Sequence, residues 1–228
     1  MKKDIGILSV FAIIFFVVLG IFFYTEVINK GTSFYMFTKS DSNDITNNTV
    51  VQSIQPKVLQ SDPVVGTSND PIRIVMYGDF FCEPCKKAYT SVKSIIRQKS
   101  GERVQWVWKS ITNITNTESI SSAVAAYCAQ KQGKFWEFSE LLFANQNSFS
   151  TEQYIQYAKI LNFNNEVFNS CINDNATKTL VVSQSNNYQK ELNINETPVI
   201  YINTTRYTDT FDVPALLNAI KNATTEKK

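Results

Sequence analysis

The sequence at residues 78–85 is Gly-Asp-Phe-Phe-Cys-Glu-Pro-Cys. An apolar run at residues 72–81 leads into Cys82, and residues 86–99, after Cys85, have the apolar spacing of a helix. Two thiols at a helix start can close a small disulfide ring, and the unpaired backbone N–H groups there favour a thiolate on the first sulfur. This placement predicts redox chemistry, with Cys82 as the attacking sulfur and Cys85 as the resolving sulfur.

The composition restricts the other uses of a Cys-x-x-C spacing. The chain has no histidine, and Cys128 and Cys171 are its only other thiols, so a zinc site would have to be built from cysteine alone and would lack a second pair. Covalent haem requires a histidine where Lys86 stands. The absence of histidine also excludes hydrolases that use a Ser-His-Asp or Cys-His arrangement. We expect a redox dithiol with no metal and no cofactor; a fixed structural disulfide and an all-cysteine metal site are the alternatives.

The N-terminal segment has the composition of a membrane anchor. Residues 5–24 carry no charge and are long enough to span a bilayer. Lys2 and Lys3 precede them, which predicts that residues 1–4 are cytoplasmic and that the rest of the chain is extracytoplasmic. No small-x-small cleavage pattern follows, so we favour an uncleaved signal anchor over a cleaved signal peptide. The expected location is the cell membrane, with one transmembrane helix.

The remainder of the chain divides by composition into a linker, a domain and a tail. Residues 25–54 are predicted to be a polar linker, residues 55–223 a single domain with a sizeable core, and residues 224–228 a frayed tail. The charge is nearly balanced, with 22 Lys and Arg against 20 Asp and Glu, so we expect no nucleic-acid partner.

The hydrophobic pattern of the domain predicts an α/β fold. The predicted strands cover residues 72–77, 104–108, 198–203 and 206–211. The first two, with helix 86–99 between them, form a βαβ unit whose strands are parallel neighbours. Residues 117–192 have a helical pattern throughout, with a break near residues 173–175, and a last helix covers residues 213–223. We call residues 117–192 the helical insert.

Several local signatures occur in an order that resembles the thioredoxin superfamily, and within it the extracytoplasmic disulfide oxidoreductases of the DsbA type. The similar segments are residues 64–67 with 70–71, 78–85, 125–129, 132–137, 141–143 and 196–203. The resemblance implies a thioredoxin-like fold with a helical insert, here preceded by the transmembrane helix. It also implies that Pro198 follows a cis peptide bond and that the backbone of Thr197 binds the substrate chain. A trans proline that merely begins a strand is the alternative.

One departure from the family pattern concerns proton transfer. Similar proteins commonly have an acidic residue six positions before the first cysteine, which assists proton transfer from the resolving thiol; here Met76 occupies that position. Asp79 could take over this role through a water, or it could satisfy backbone N–H groups in the turn, and the sequence favours the second role.

The residues between the two cysteines bear on the direction of the reaction. Negative charge on Glu83, and on Glu196 if it lies across the groove, raises the pKa of a nearby thiolate, and neighbouring lysines oppose this. Pro84 resembles the reducing thioredoxins, whereas an extracytoplasmic location favours disulfide donation. We predict a monomeric enzyme that introduces disulfides into extracytoplasmic proteins through a Cys82 mixed disulfide resolved by Cys85, with a membrane redox partner. A membrane-linked reductase or isomerase, and a non-catalytic disulfide-stabilised binding module, are the alternatives.

The other two cysteines, Cys128 and Cys171, lie on predicted helices of the insert. We expect a structural disulfide between them, which would stabilise the domain by about 3–4 kcal/mol. Free buried thiols and a second redox relay are the alternatives.

Overall fold

The computed structural model describes residues 54–98 and 104–225. The predicted membrane anchor at residues 5–24 and nearly all of the predicted linker therefore lie outside the described residues. Among residues 54–98 and 104–225, no helix combines the length and the apolar character that crossing a bilayer requires.

The described chain has two strands, a helix and a third strand, followed by five consecutive helices, two more strands and a last helix. The strands are β1 (Val64–Val65), β2 (Ile72–Gly78), β3 (Val104–Ser110), β4 (Val199–Ile202) and β5 (Thr205–Tyr207). The helices are α1 (Glu83–Gln98), α2 (Thr117–Lys131), α3 (Phe135–Ala144), α4 (Thr151–Ile160), α5 (Asn165–Ile172), α6 (Asn175–Leu192) and α7 (Val213–Thr225).

The five strands form one mixed sheet in the order β1-β3-β2-β4-β5. Strands β2 and β3 are parallel, with Ile72 opposite Val104 and Gly78 opposite Ser110, and the other three pairings are antiparallel. This confirms the predicted βαβ unit. Strand β2 lies at the centre and is buried on both faces, which explains why its sequence is a nearly continuous apolar run.

Differences from the predicted elements occur at the sheet edges. Strand β1 has only two residues, too few to give a periodic pattern, and the sequence did not predict it. Strand β5 is shorter than predicted because only three residues pair with β4. The predicted break in the insert is confirmed: Asp174 caps α6, and its carboxylate accepts hydrogen bonds from the N–H groups of Ala176 and Thr177.

The helical insert has its own aromatic core and contains a disulfide. Phe138 packs against Phe163 and Phe168, with ring centroids 5.9 and 5.5 Å apart. A disulfide joins Cys128 on α2 to Cys171 on α5, with the two Cα atoms 5.9 Å apart. This disulfide links the first helix of the insert covalently to its fourth helix.

A layer of aromatic side chains lies directly beneath the Cys-x-x-C turn. Phe80 stacks on Trp108 at 4.9 Å between ring centroids, and Tyr89 of α1 packs on Trp106 at 5.0 Å. The main chain of Gly78 runs close to the Trp108 ring, since an added Cβ would lie 2.6 Å from it. Close packing on this face of the sheet therefore fixes the base of the turn.

A buried ion pair lies on the opposite face of the sheet. Lys109 of β3 is 2% exposed, and its Nζ lies 2.5 Å from Oδ2 of Asp62 and 3.4 Å from the hydroxyl of Tyr188. Burial lowers the pKa of Lys109, and the bond to Asp62 opposes that shift. The ion pair connects the segment before β1 to the sheet, and the contact with Tyr188 connects Lys109 to α6.

Candidate active site

The two cysteines of the Cys-x-x-C motif lie where β2 gives way to α1, on either side of the first helical residue. They form a disulfide with Cα atoms 5.2 Å apart. The N–H of Cys85 donates to the carbonyl of Cys82 at 3.1 Å and lies 3.2 Å from its Sγ. An N–H group in this position stabilises negative charge on the sulfur of Cys82 when the disulfide opens.

The two sulfurs differ in access to solvent. Cys82 is half-buried, whereas Cys85 is 0% exposed and belongs to the core. Glu83 and Pro84 are exposed in the first turn of α1. An incoming thiol can therefore reach Cys82 but not Cys85, which is the order of attack that the sequence predicts.

The loop before β4 lies against the first cysteine. The peptide bond between Thr197 and Pro198 is cis. The carbonyl oxygen of Thr197 lies 3.4 Å from Sγ of Cys82, so the thiol of the reduced form can donate a hydrogen bond to it. Sequence segments 115 positions apart are thus in contact at the reactive sulfur.

Asp79 is buried in the turn, and both its carboxylate and its backbone form hydrogen bonds there. Its carboxylate accepts a hydrogen bond from the N–H of Phe81 at 2.8 Å and another from the hydroxyl of Ser119 at 2.5 Å. Its own N–H donates to Sγ of Cys85 at 3.5 Å. Burial raises the pKa of the Asp79 carboxyl, and the two hydrogen bonds partly oppose the shift. The bond from Phe81 is the turn-stabilising interaction that the sequence favours for this residue.

Two residues of the helical insert support the turn and were not found from the sequence. Ser119 of α2 holds the Asp79 carboxylate, as described above. Gln146, after α3, donates from Nε2 to the carbonyls of Phe80 at 2.8 Å and Cys82 at 3.0 Å. Both residues are distant from the motif in sequence, and no local pattern distinguishes them from other Ser and Gln residues.

Position 76 holds no proton-exchanging group. Met76 is 0% exposed and pairs with Trp108 on one side and Ile200 on the other, in the middle of the sheet. In the described part of the chain, no group of three or more Cys, Asp and Glu side chains is arranged to hold a metal ion.

A cleft of about 560 Å³ opens beside Cys82. Its walls come from the turn, the start of α2, α6 and the cis-proline loop, and they are rich in amides and hydroxyls. The lining residues are Asp79, Phe81, Cys82, Ile111, Thr112, Asn113, Ile114, Asn116, Ser119, Asn186, Gln189, Ile194, Asn195, Glu196 and Thr197. Apart from Cys82, the ionisable side chains among these described residues are the two carboxyls Asp79 and Glu196. Glu196 is thus brought to the same cleft as the reactive sulfur.

The chain is similar in sequence to one protein family and to segments of larger curated proteins. The sequence model of the family described as Thioredoxin matches residues 59–222. Two curated relatives are similar in sequence: the Na(+)/H(+) antiporter NhaA 1 of Mycobacterium sp. (strain KMS), 26% identical over 175 residues, and that of Salinispora arenicola, 25% identical over 174 residues. Each match covers 76% of this chain, but the chain spans only 28% and 26% of those proteins.

Solved structures share the fold over almost their full length. Oxidised BdbD from Bacillus subtilis has a TM-score of 0.66 at 23% identity, covering 76% of this chain and 97% of that chain. Wolbachia pipientis alpha-DsbA1 has a TM-score of 0.64 at 19% identity, covering 74% of this chain and 94% of that chain. The predicted α/β fold with a helical insert is confirmed.

Proposed function

The chain belongs to the thioredoxin family, and we propose that it is a protein thiol-disulfide oxidoreductase that introduces disulfides into extracytoplasmic proteins. The observation that carries this proposal is the asymmetry of the Cys82–Cys85 disulfide. Cys82 is accessible beside a cleft and faces the Thr197 carbonyl, whereas Cys85 is sealed in the core. A purely structural bridge has no need of a solvent-accessible sulfur beside a cleft.

The exchange follows from that geometry. A client thiolate attacks Sγ of Cys82, a client–Cys82 bond forms, and Cys85 leaves as a thiolate. A second client thiolate then attacks the client sulfur of this mixed disulfide, and Cys82 leaves as a thiolate. The client loses two electrons and gains a disulfide, and the Cys-x-x-C pair gains the two electrons. If Cys85 attacks Cys82 instead, the mixed disulfide is resolved and the client is released reduced.

The start of α1 supports oxidation as the direction. The N–H of Cys85, 3.2 Å from Sγ of Cys82, and the positive end of a 16-residue helix both favour the Cys82 thiolate. A stabilised thiolate lowers the free energy of the reduced pair, which makes the disulfide the stronger oxidant. We further propose that residues 5–24 anchor the enzyme in the cell membrane and that a membrane redox partner reoxidises the pair.

Reduction of client disulfides is the second candidate function. Two carboxyls, Asp79 and Glu196, line the cleft beside Cys82, and no Lys or Arg is found among its described lining residues. Negative charge near a thiolate raises its pKa, which shifts the pair toward reducing behaviour. Pro84 before the resolving cysteine favours the same alternative.

The test is disulfide transfer to a reduced protein. The oxidised full chain should restore activity to reduced, unfolded ribonuclease, and Cys82→Ser should abolish transfer. Cys85→Ser, mixed instead with a client that carries a disulfide, should accumulate a trappable mixed disulfide: the Cys82 thiolate attacks the client disulfide, one client sulfur leaves as a thiolate, and the resolving sulfur is gone. A variant with Cys128 and Cys171 both changed to Ala is the control and should still transfer disulfides. An unchanged rate in Cys82→Ser would refute the mechanism.

Equilibration with glutathione measures the reduction potential of the Cys82–Cys85 pair and so distinguishes an oxidase from a reductase. A potential of the pair near about −120 mV supports the oxidase, and one near about −270 mV supports the reductase.

A further inference from the structure

The cleft beside Cys82 has acidic but no basic side chains among its described lining residues. It holds about 560 Å³, and apart from Cys82 its ionisable side chains are the carboxyls of Asp79 and Glu196. Two lysines follow the Cys-x-x-C motif on α1, but neither lines this cleft, and Lys87 lines a separate groove with Asp209. The described walls of the cleft therefore present negative charge to a bound client.

The two carboxyls of the cleft differ in their availability to a client. Asp79 is 8% exposed, and its carboxylate already accepts hydrogen bonds from Phe81 and Ser119. Glu196 is exposed, and within the described part of the chain its carboxylate forms neither a hydrogen bond nor an ion pair. Glu196 is therefore the carboxylate of this cleft that can pair with a cation on a client.

Glu196 lies one residue away from the contact with the reactive sulfur. The carbonyl oxygen of Thr197 is 3.4 Å from Sγ of Cys82. Consecutive Cα atoms are about 3.8 Å apart, and a client sulfur joined to Cys82 lies about 2 Å from it. The client residues next to the exchanging cysteine therefore pass within side-chain reach of Glu196.

The walls of the cleft offer apolar contact as well as charge. Phe81 and Ile114 are 44% and 65% exposed, and both line the cleft. Lys and Arg side chains pack their aliphatic stems on apolar surface and keep the charged end free to meet water or a carboxylate. An acidic client side chain would instead be repelled by Glu196. The cleft thus suits a basic client segment better than an acidic one.

We propose that Glu196 makes the cleft selective for client segments that carry Lys or Arg next to the exchanging cysteine. This inference rests on the proposed function and adds to it the class of client. The Glu196 carboxylate attracts the client cation while the client thiolate attacks Cys82. Glu196 exchanges no proton and no electron; it raises the rate at which clients of complementary charge reach the sulfur.

The test compares peptides that differ in one residue. Each peptide has two cysteines separated by a Gly-Ser spacer, and Lys, Gln or Glu stands next to the first cysteine. The oxidised full chain is mixed with each reduced peptide without oxygen, and mass spectrometry follows the initial rate at which the peptide loses two hydrogens and forms its disulfide. The Cys82–Cys85 pair gains the two electrons, so no other oxidant is needed.

The measured quantity is the rate constant for the Lys peptide divided by the rate constant for the Glu peptide. This ratio for the natural chain is then divided by the ratio for Glu196→Gln. The peptides' own thiol pKa values cancel in this quotient, and so does any effect of Glu196 on the reactivity of Cys82, because that effect is the same for both peptides. We expect a quotient of about 3 to 10 at about 0.01 M salt, falling toward one at about 1 M salt.

Two further variants sharpen the test. Glu196→Lys should lower the Lys-to-Glu ratio below that of Glu196→Gln, because the charge is reversed. Glu191→Gln is the matched control, since Glu191 is an exposed carboxylate that lines a different groove, together with Lys109. It removes the same charge and should keep the ratio of the natural chain.

The proposal is overturned if the natural chain and Glu196→Gln give the same ratio, or if the preference does not weaken with salt. It is also overturned if Glu191→Gln lowers the ratio as much as Glu196→Gln, which would assign the preference to net charge. Failure of the proposed function is a different result, because the natural chain would then oxidise none of the peptides, the uncharged Gln peptide included.

Discussion

Loss of the disulfide in the helical insert is expected to cost about 4 kcal/mol of the free energy of unfolding. The change is the double substitution Cys128→Ala and Cys171→Ala. The bridge closes a loop with a sequence separation of 43 residues. In the chain-entropy description, opening a loop of that length returns about 13 cal/mol/K to the unfolded chain, which gives about 4 kcal/mol at 25 °C.

The Cys-x-x-C pair provides an internal comparison. Cys82 and Cys85 are separated by only three positions, so the same relation gives about 1.6 kcal/mol for the loss of their bridge. The insert variant should therefore lose more than twice as much stability as a Cys82→Ala and Cys85→Ala variant. The insert variant should keep its rate of disulfide exchange, because Cys82 and the hydrogen bonds that support it are unchanged.

Urea unfolding of the full chain, followed by the helical circular dichroism signal without reductant, measures both variants against the natural chain. Mass mapping without reduction verifies that the natural chain contains the Cys128–Cys171 link. A loss below about 1 kcal/mol in the insert variant, or a loss no larger than that of the Cys82 and Cys85 variant, would refute the entropic argument.

Further predictions concern the core and the titration of the site. Lys109→Met should cost about 3–5 kcal/mol by urea unfolding, because it leaves the buried Asp62 carboxylate unpaired; a loss below about 1 kcal/mol contradicts this. Gly78→Ala should cost about 1–3 kcal/mol by thermal unfolding, since the new Cβ would lie 2.6 Å from the Trp108 ring, and an unchanged Tm contradicts this. Burial raises the folded-state pKa of Asp79, so its favourable contribution is full below the ordinary value of 3.8 and is lost as the pH rises through the raised pKa. Asp79→Asn should therefore gain stability relative to the natural chain as the pH rises above about 4, and parallel pH profiles would contradict this.

Local rules account for the features that the sequence predicts well. The apolar run ending at Cys82 and the amphipathic helix after it fix the strand–turn–helix unit, because side-chain periodicity depends only on near neighbours. The capped break at Asp174 is predictable for the same reason. The strand Val64–Val65 was missed because two residues form a strand only when a partner strand is present.

The support of the reactive turn could not be predicted in this way. Ser119 and Gln146 approach Asp79 and Cys82 from 40 and 64 positions away, and neither residue type signals such a contact in its own neighbourhood. Lys109 is similar: it lies in an apolar strand, and its partner is 47 positions earlier in the chain.

From its own residues, the chain specified a dithiol at a helix start, the parallel βαβ unit around it, and the absence of any imidazole chemistry. Packing alone decided which serine holds the buried carboxyl, which glutamine holds the turn, and which carboxylate pairs with Lys109. The physical reason is that these contacts join segments distant along the chain, so their energies arise only when the whole domain excludes water from the space between them.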